Sequence, residues 1–490
     1  MNRFVLYFSR EGFHRFQALV LNPWPSALLG LFLSCLAVIS WAENHSGRQA
    51  LTLDRAIQLA HDHDPWLAGN LYSQQALEAK AGAASSLPSP TVSLEFANWP
   101  TDSFDFNQEP MTQFKVRVSQ RFPRGDSLAI NEKKLRRLSS QFPYQRLDRR
   151  AKVASRVSQR WLDAYKAQES IALIENDRAL FEQLVDLAQS RYSTAVGRSR
   201  QQDLIRAQLE LTRLEDRLTI LRLQRDQALA DLSEWTGGVY EPQLSAYEAF
   251  ELPLSVARKL PQIKMLAMNA TAPVDTHTAT AKLPRELWFL LSHPAVKALD
   301  RQYDASKADV ELMREGNKPQ WGVNVGYGFR GNDLAGEDQA DFLSVGVNFD
   351  LPLLTRNRQQ HRFKAAIAGA GAVQMKKQLL LKKMLASLRA AQVELDALTY
   401  RQTLFVDQLL PQMSDQSEAS LTAYTYDDGD FDEVVRSRIG ELNAQIEALS
   451  IVVDRQKIIA RLNYFYSVQW SDASASINNP PRLLLESDDE

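Results

Sequence analysis

Two stretches of the chain alternate strictly between apolar and polar side chains. In the first, Val92, Leu94 and Phe96 alternate with Thr91, Ser93 and Glu95, and Phe114, Val116, Val118 and Phe122 alternate with Lys115, Arg117, Ser119 and Arg121. In the second, Trp321, Val323, Val325, Tyr327 and Phe329 alternate with Gln320, Gly322, Asn324, Gly326 and Gly328, and Leu343, Val345, Val347, Phe349 and Leu351 alternate with Ser344, Gly346, Asn348 and Asp350. A period of two predicts strands with one apolar and one polar face. They form two hairpins, 91–122 and 320–351. Each strand is about nine residues, the length that crosses a bilayer when tilted. A continuous apolar face opposed to Lys115, Arg117, Ser119 and Arg121 fits lipid outside and a water-filled lumen inside. The alternation equally suits a soluble sandwich.

Between the hairpins the pattern changes to the helical period. Residues 126–195 and 355–425 are nearly free of Gly and Pro and predict helices of about 70 residues, roughly 105 Å each. Two shorter helices are predicted over 52–87 and 200–236. Leu204, Ala207, Leu211, Leu214, Leu218, Leu221, Ala228, Leu232 and Trp235 follow a 3-4 spacing broken only by Arg225, and Val435, Ile439, Leu442, Ile446, Leu449 and Val453 follow it again. Seams of this kind wind helices around one another.

The two halves repeat. Pro65 and Pro294, Pro90 and Pro319, and Pro123 and Pro352 are all separated by 229 residues, and the same shift carries the apolar positions of the first hairpin onto those of the second. Each half reads helix, strand, strand, long helix, helix. Pro88, Pro90, Pro123, Pro319 and Pro352 mark the helix–strand junctions, where proline stops one element and lets the chain change direction. All helices therefore lie on one side of the strands, and the loops 98–113 and 330–341 on the other. Four strands cannot close a barrel, and an open edge cannot face lipid. Pooling strands from three copies gives a barrel of 12 wide enough to conduct, whereas a barrel of about eight is filled by its own side chains.

Composition narrows the reading further. The chain has 490 residues, 24% charged and 44% apolar, with a formal net charge of −2, which lacks the basic field of a nucleic-acid binder. Arg3, Arg10 and Arg15 precede an apolar stretch from Ala27 to Trp41 that is shorter than a membrane span, so residues 1–42 read as a secretory signal cut after Ala42. The only cysteine, Cys35, falls inside that segment and sits in a poor lipoprotein site, so the mature chain would be free of thiols and suited to an oxidising periplasm.

The segment Leu51-Thr52-Leu53-Asp54-Arg55-Ala56-Ile57-Gln58-Leu59-Ala60, followed by Asp64-Pro65, resembles the opening motif of the TolC family of outer-membrane efflux proteins. Tyr192 with Gly197, Asp203-Leu204, Ala207 and Gln208 is similar to the family's helix-turn signature, and His293-Pro294-Ala295-Val296 through Val345-Gly346-Val347 and Pro352-Leu353 looks most like its heavy-metal (CzcC-like) branch. The resemblance implies an α+β membrane protein. Three chains would form a 12-stranded transmembrane β-barrel, continued by a coiled-coil-type α-helical barrel. It also implies a homotrimer in outer-membrane lipid that docks a periplasmic adaptor (membrane fusion) protein and an inner-membrane pump of RND type. On this reading 1–42 is the signal peptide, 43–236 the first repeat, 237–292 an equatorial or linker region, 293–470 the second repeat and 471–490 a C-terminal tail.

Catalytic chemistry is not in view. The sequence holds no Gly-rich phosphate loop, HExxH or nucleophile elbow, and no cofactor or resident metal is expected. His61 and His63 stand two apart on a helix and do not share a face. Trp99, Phe104 and Phe106 suit either an interfacial girdle or plain loop packing. The expected function is a passive exit duct of a tripartite efflux pump, carrying small solutes or metal cations across periplasm and outer membrane. A type I secretion exit and a periplasmic coiled-coil scaffold are the alternatives. Two helix-to-helix turns, Val196-Gly197-Arg198-Ser199-Arg200 and the one around Gly429, are the candidate adaptor-docking sites. Asp427, Asp428, Asp430 and Asp432 are a candidate periplasmic gate, three copies of which would attract cations, latched by Arg198, Arg200 or Arg436.

Overall fold

Prolines and capping side chains set the first boundaries. Thr52 caps α1 (Leu53–Asp62) by accepting from the Arg55 N–H. The chain then breaks at His63, and Asp64 caps α2 (Pro65–Ala84), whose first residue is a proline with no N–H to lose. The single helix predicted over 52–87 is thus two. Strands β1 (Thr91–Ala97) and β2 (Gln113–Phe122) follow, then α3 (Ser127–Ser139), α4 (Phe142–Thr194) and α5 (Gln201–Thr236). The second half gives α6 (Arg285–Ser292), α7 (Pro294–Glu315), β3 (Trp321–Phe329), β4 (Phe342–Phe349), α8 (Arg356–Leu404), a π-helical turn Phe405–Leu409, α9 (Leu410–Thr425) and α10 (Phe431–Phe465).

This computed structural model describes residues 50–194, 201–237, 255–266, 285–333, 335–350, 356–426 and 429–467. They belong to a single unit, Ala50–Glu490. The signal segment 1–42, the turn Val196–Arg200, Asp427, Asp428, most of 237–292 and the tail 471–490 lie outside the described residues.

The long helices are interrupted where sequence periodicity ran straight through. The predicted helix 126–195 breaks at Ser140–Gln141, between α3 and α4. Pro143 offers no N–H to the carbonyl of Ser139, and the hydroxyls of Ser139 and Ser140 turn back to the carbonyls of Arg136 and Arg137 at 3.0 and 2.8 Å. In the predicted helix 355–425, Pro411 cannot donate to Asp407, and the chain widens into a π turn in which the Leu410 N–H reaches Phe405 O. The 3-4 seams are buried as read: Ala207, Leu214, Leu218 and Leu232 pack against α4 residues, and Val435 and Leu442 join them from α10.

Three apolar clusters hold the helices. One surrounds Trp161 and Leu162, between α1, α4 and the end of α5. A second lies between Ile174, Phe181, Leu218 and Leu442. The third joins Phe289 and Leu290 of α6 to Leu388 of α8 and Leu462 of α10. Residues 255–266 cross the first and third clusters as an extended strap. Leu51 bridges Val256 in parallel, through Ser255 O at 3.2 Å and the Ala257 N–H at 3.1 Å, and side-chain amides hold the rest: Gln168 bonds both N–H and C=O of Val256 at 3.2 and 3.1 Å, Gln456 accepts from Ile263, and Asn463 accepts from Leu266 and donates to Lys264 O.

Candidate functional site

The four strands form one antiparallel sheet in chain order, β1-β2-β3-β4. The register places Leu94, Val116, Tyr327 and Leu343 in one row across the sheet, and Val92, Val118, Val325 and Val345 in another. The two faces are therefore those read from the alternation. Glu95, Lys115 and Gly328 form a row on the other face, as do Ser93, Arg117, Gly326 and Ser344, then Thr91, Ser119, Asn324 and Gly346, then Arg121, Gly322 and Asn348. Lys115, Arg117, Ser119 and Arg121 thus share one face. On it Arg117 faces Glu95 at 3.9 Å, and long polar side chains lie over the glycines, Arg117 beside Gly326 and Asn324 beside Gly346.

Among the described residues nothing covers the apolar face. Leu343 and Val345 keep 71% and 70% of their surface exposed, and Val92, Leu94, Val347 and Phe349 are also exposed. Leaving such side chains in water forfeits about 2 kcal/mol each relative to burial. Aromatic rings close the rows at both ends. Phe122 stacks on Trp321 at 4.2 Å beside the helices, while Phe96 packs on Phe114 at 4.9 Å and Trp99 at 4.7 Å beside the loops. Trp99 and Phe106 join this outer cluster, whereas Phe104 stands apart, 70% exposed with φ 53°. The strand-end rings Phe122, Trp321 and Phe349 were passed over as part of the alternation; their position at the ends of the rows was the signal.

Two arginines fix the ends of the sheet. Arg124, just past β2, donates to Gly316 O and Lys318 O at 3.4 and 2.7 Å and pairs with Asp350 beyond β4, so one side chain ties both hairpins to the end of α7. The neighbouring Gly125 has φ 45°, a backbone conformation that favours glycine, and a Cβ there would displace the Glu315 carboxylate. At the other end Arg330 donates to Pro110 O and Ala340 O at 2.9 and 3.2 Å and lies over the Phe342 ring, holding the two loops together.

The acidic turn is partly described. Asp430 caps α10 by accepting from the Asp432 N–H at 3.4 Å, and Glu433 sits three residues on, a capping-box spacing legible in the sequence. Asp432 pairs with Arg436 one turn on in its own helix and also with Arg206 of α5. Arg206 was missed because only the fold brings α5 beside this turn. Asp427 and Asp428 lie outside the described residues, as do Arg198, Arg200 and the docking turn Val196-Gly197-Arg198-Ser199-Arg200. Gly429 is tight against the backbone of Ala423 and Tyr424, which leaves no room for a side chain.

Higher along the helices, His293 is fully buried. Its Nδ1 accepts from the Ala295 N–H at 3.1 Å and its Nε2 donates to Tyr464 O at 3.0 Å, which fixes a neutral imidazole; burial holds its pKa below 6.5. The Tyr464 hydroxyl bonds Asp148 at 2.9 Å, and burial together with that carboxylate pushes its pKa well up. Burial likewise lowers His61, which bonds Arg150 O at 3.1 Å, and among the described residues no group of His, Cys, Asp and Glu could hold a metal ion. Among them, too, no helix is long and apolar enough to cross a membrane.

A scan of protein-family models finds none that matches the chain, and no curated protein sequence matches it. Solved structures do. The outer membrane channel CmeC of Campylobacter jejuni superposes with a TM-score of 0.66 at 14% identity, over 85% of this chain and 85% of that one. The outer membrane protein VceC of Vibrio cholerae gives 0.65 at 13%, over 85% and 95%. CusC, described through its folding and transmembrane channel formation, gives 0.65 at 14%, over 84% and 91%. The chain has the fold of these outer-membrane channels.

Proposed function

We propose that this chain is the outer-membrane channel component of a tripartite efflux pump, a member of the TolC family that acts as a passive exit duct. The observation that carries the reading is the sheet: one uncovered apolar face bounded by aromatic rings, one polar face, and two unpaired edges, β1 and β4. Unpaired backbone cannot sit in hydrocarbon, so each edge requires another copy. Three copies give 12 strands, with Lys115, Arg117, Ser119 and Arg121 lining the water-filled interior. The helices then extend into the periplasm, and the turns at Val196–Arg200 and Gly429 meet the adaptor of an RND-type inner-membrane pump. Asp427, Asp428, Asp430 and Asp432 surround the entrance and draw in cations. The cargo is a small solute or a metal cation, as in the CzcC-like branch.

The test is direct. The full chain should fractionate with the outer membrane as a heat-modifiable trimer and conduct in planar bilayers. Recovery as a soluble periplasmic monomer would overturn the duct in favour of a scaffold.

A further inference from the structure

The break between α3 and α4 opens a pocket of about 570 Å³ that the duct reading does not use. Its floor is the Ser139–Tyr144 junction, with α2 on one side and α7 on the other. Since α3 lies between α2 and α7, the pocket is built within one chain and does not depend on a seam between copies. It stands about 20 Å along α3 from the sheet, one helix of 13 residues away.

Three guanidiniums line this pocket, from Arg136, Arg137 and Arg301, against the single carboxylate of Glu78. Arg136 bonds Glu132 through Nε at 2.7 Å, which leaves both terminal nitrogens for another acceptor. Arg301 lies over the Tyr144 ring with Asp304 at 4.0 Å. Arg137 is exposed and its side chain has no hydrogen-bond or ion-pair partner among the described residues. Glu78 is held aside, accepting from Gln74 Nε2 at 2.8 Å.

We propose that this pocket binds a small oxyanion with more than one negative charge, its carboxylate or phosphate oxygens held by Arg136, Arg137 and Arg301. Forked guanidiniums match planar oxyanions two bonds at a time, and several converging on one pocket select for more than one negative charge. A volume near 570 Å³ accommodates a ligand of several carbons.

The experiment is calorimetric titration of the full-length assembled protein with citrate, at fixed ionic strength and without divalent cations. Acetate, which carries a single carboxylate, is titrated beside it. Saturable citrate binding of one molecule per chain is expected, with acetate at least ten-fold weaker. Arg137→Ala, at an exposed side chain with no partner to lose, should weaken citrate at least ten-fold, and Arg301→Ala should do the same with thermal unfolding unchanged. Lys376→Ala, an exposed cation elsewhere on α8, should bind as the parent does. No saturable citrate binding, or Arg137→Ala binding like the parent, overturns the site. Acetate binding as tightly as citrate overturns the selection for more than one negative charge.

Discussion

Asp64 and His293, 229 residues apart, cap their helices in the same way: each accepts the backbone N–H two residues on, from Trp66 and from Ala295, at 3.1 Å. Each is followed by a proline at the first helical position. The duplicated geometry has outlived the chemistry, since one cap is a carboxylate and the other an imidazole. The carboxylate has a further partner. Arg149 reaches Asp64 with Nε at 2.8 Å and Nη2 at 3.3 Å, and its guanidinium also lies over the rings of Trp66 and Trp235.

Asp64→Ala should therefore cost more than a cap. The Asp64 side chain is 4% exposed, and its removal strands a half-buried guanidinium, for a total of about 3 kcal/mol. Asp64→Asn keeps the cap and should recover about 1 kcal/mol of it. Denaturant unfolding of the assembled protein measures both; equal losses for Ala and Asn would mean the cap contributes nothing.

The imidazole cap makes stability depend on pH. Burial lowers the pKa of both His293 and His61 below 6.5, with Asp148 and Lys152 opposing one another around His293. Below pH 6.5 the unfolded chain takes up protons that these buried rings refuse, so stability falls with acid, by at most about 1.4 kcal/mol per pH unit for each ring. Above that pH both states are neutral at these sites and the dependence vanishes. His293→Asn can still cap α7, and its unfolding midpoint should change less between pH 7.5 and 5.5 than the parent's. Parallel pH curves would exclude His293 as a source of acid sensitivity.

The two faces of β2 should respond oppositely to charge. Val118 lies in a row with Val92, Val325 and Val345, so Val118→Arg puts a guanidinium on the lipid side and should cost about 2–4 kcal/mol near the bilayer midplane. Ser119→Arg, on the face of Arg117 and Arg121, should leave trimer yield near that of the parent. Heat-modifiable trimer measured by gel shift distinguishes them, and equal yields would mean the faces are reversed or the sheet lies outside the membrane.

At the acidic turn, Asp432 joins α10 to α5 through Arg206 and to its own helix through Arg436. These pairs are half-exposed and each is worth only about 0.2–1 kcal/mol, small enough to open and close. Arg206→Ala should raise resting conductance in planar bilayers without changing trimer stability. Asp427→Asn, Asp428→Asn and Asp430→Asn should weaken cation preference and divalent block, in at least one case measurably. Unchanged conductance in Arg206→Ala and in all three Asn variants would remove the gate.

The strands and their two faces were legible in the sequence, because a one-residue slip would have reversed Val116 and Lys115 between faces, but a two-residue slip would not, so the pairing itself came only from the fold. The repeat was legible through its prolines, which act locally wherever they stand. The helix breaks were not. Pro143 and Pro411 carried the same local signal, but the apolar spacing continues past both, and a seam pattern says nothing of a break that keeps the seam in phase. Arg124, Arg206 and Gln168 were invisible for another reason: each acts on residues far away in the chain, and only packing brings them together.

The central seam of the sheet, from Phe114 opposite Phe329 to Phe122 opposite Trp321, sets the order in which the molecule can form. Each hairpin closes over a short loop and can do so as soon as its own residues have emerged. The β2–β3 seam joins strands roughly two hundred residues apart, so its closure waits for almost the whole first repeat and the linker, and long-range pairing of this kind is slow. Until then both edges of the first hairpin are open templates for the wrong strand. A chain stopped before Trp321 would carry β2 as a permanent sticky edge, and its fate should be aggregation. The interval between the appearance of the first hairpin and the second is therefore when the chain is most open to mispairing.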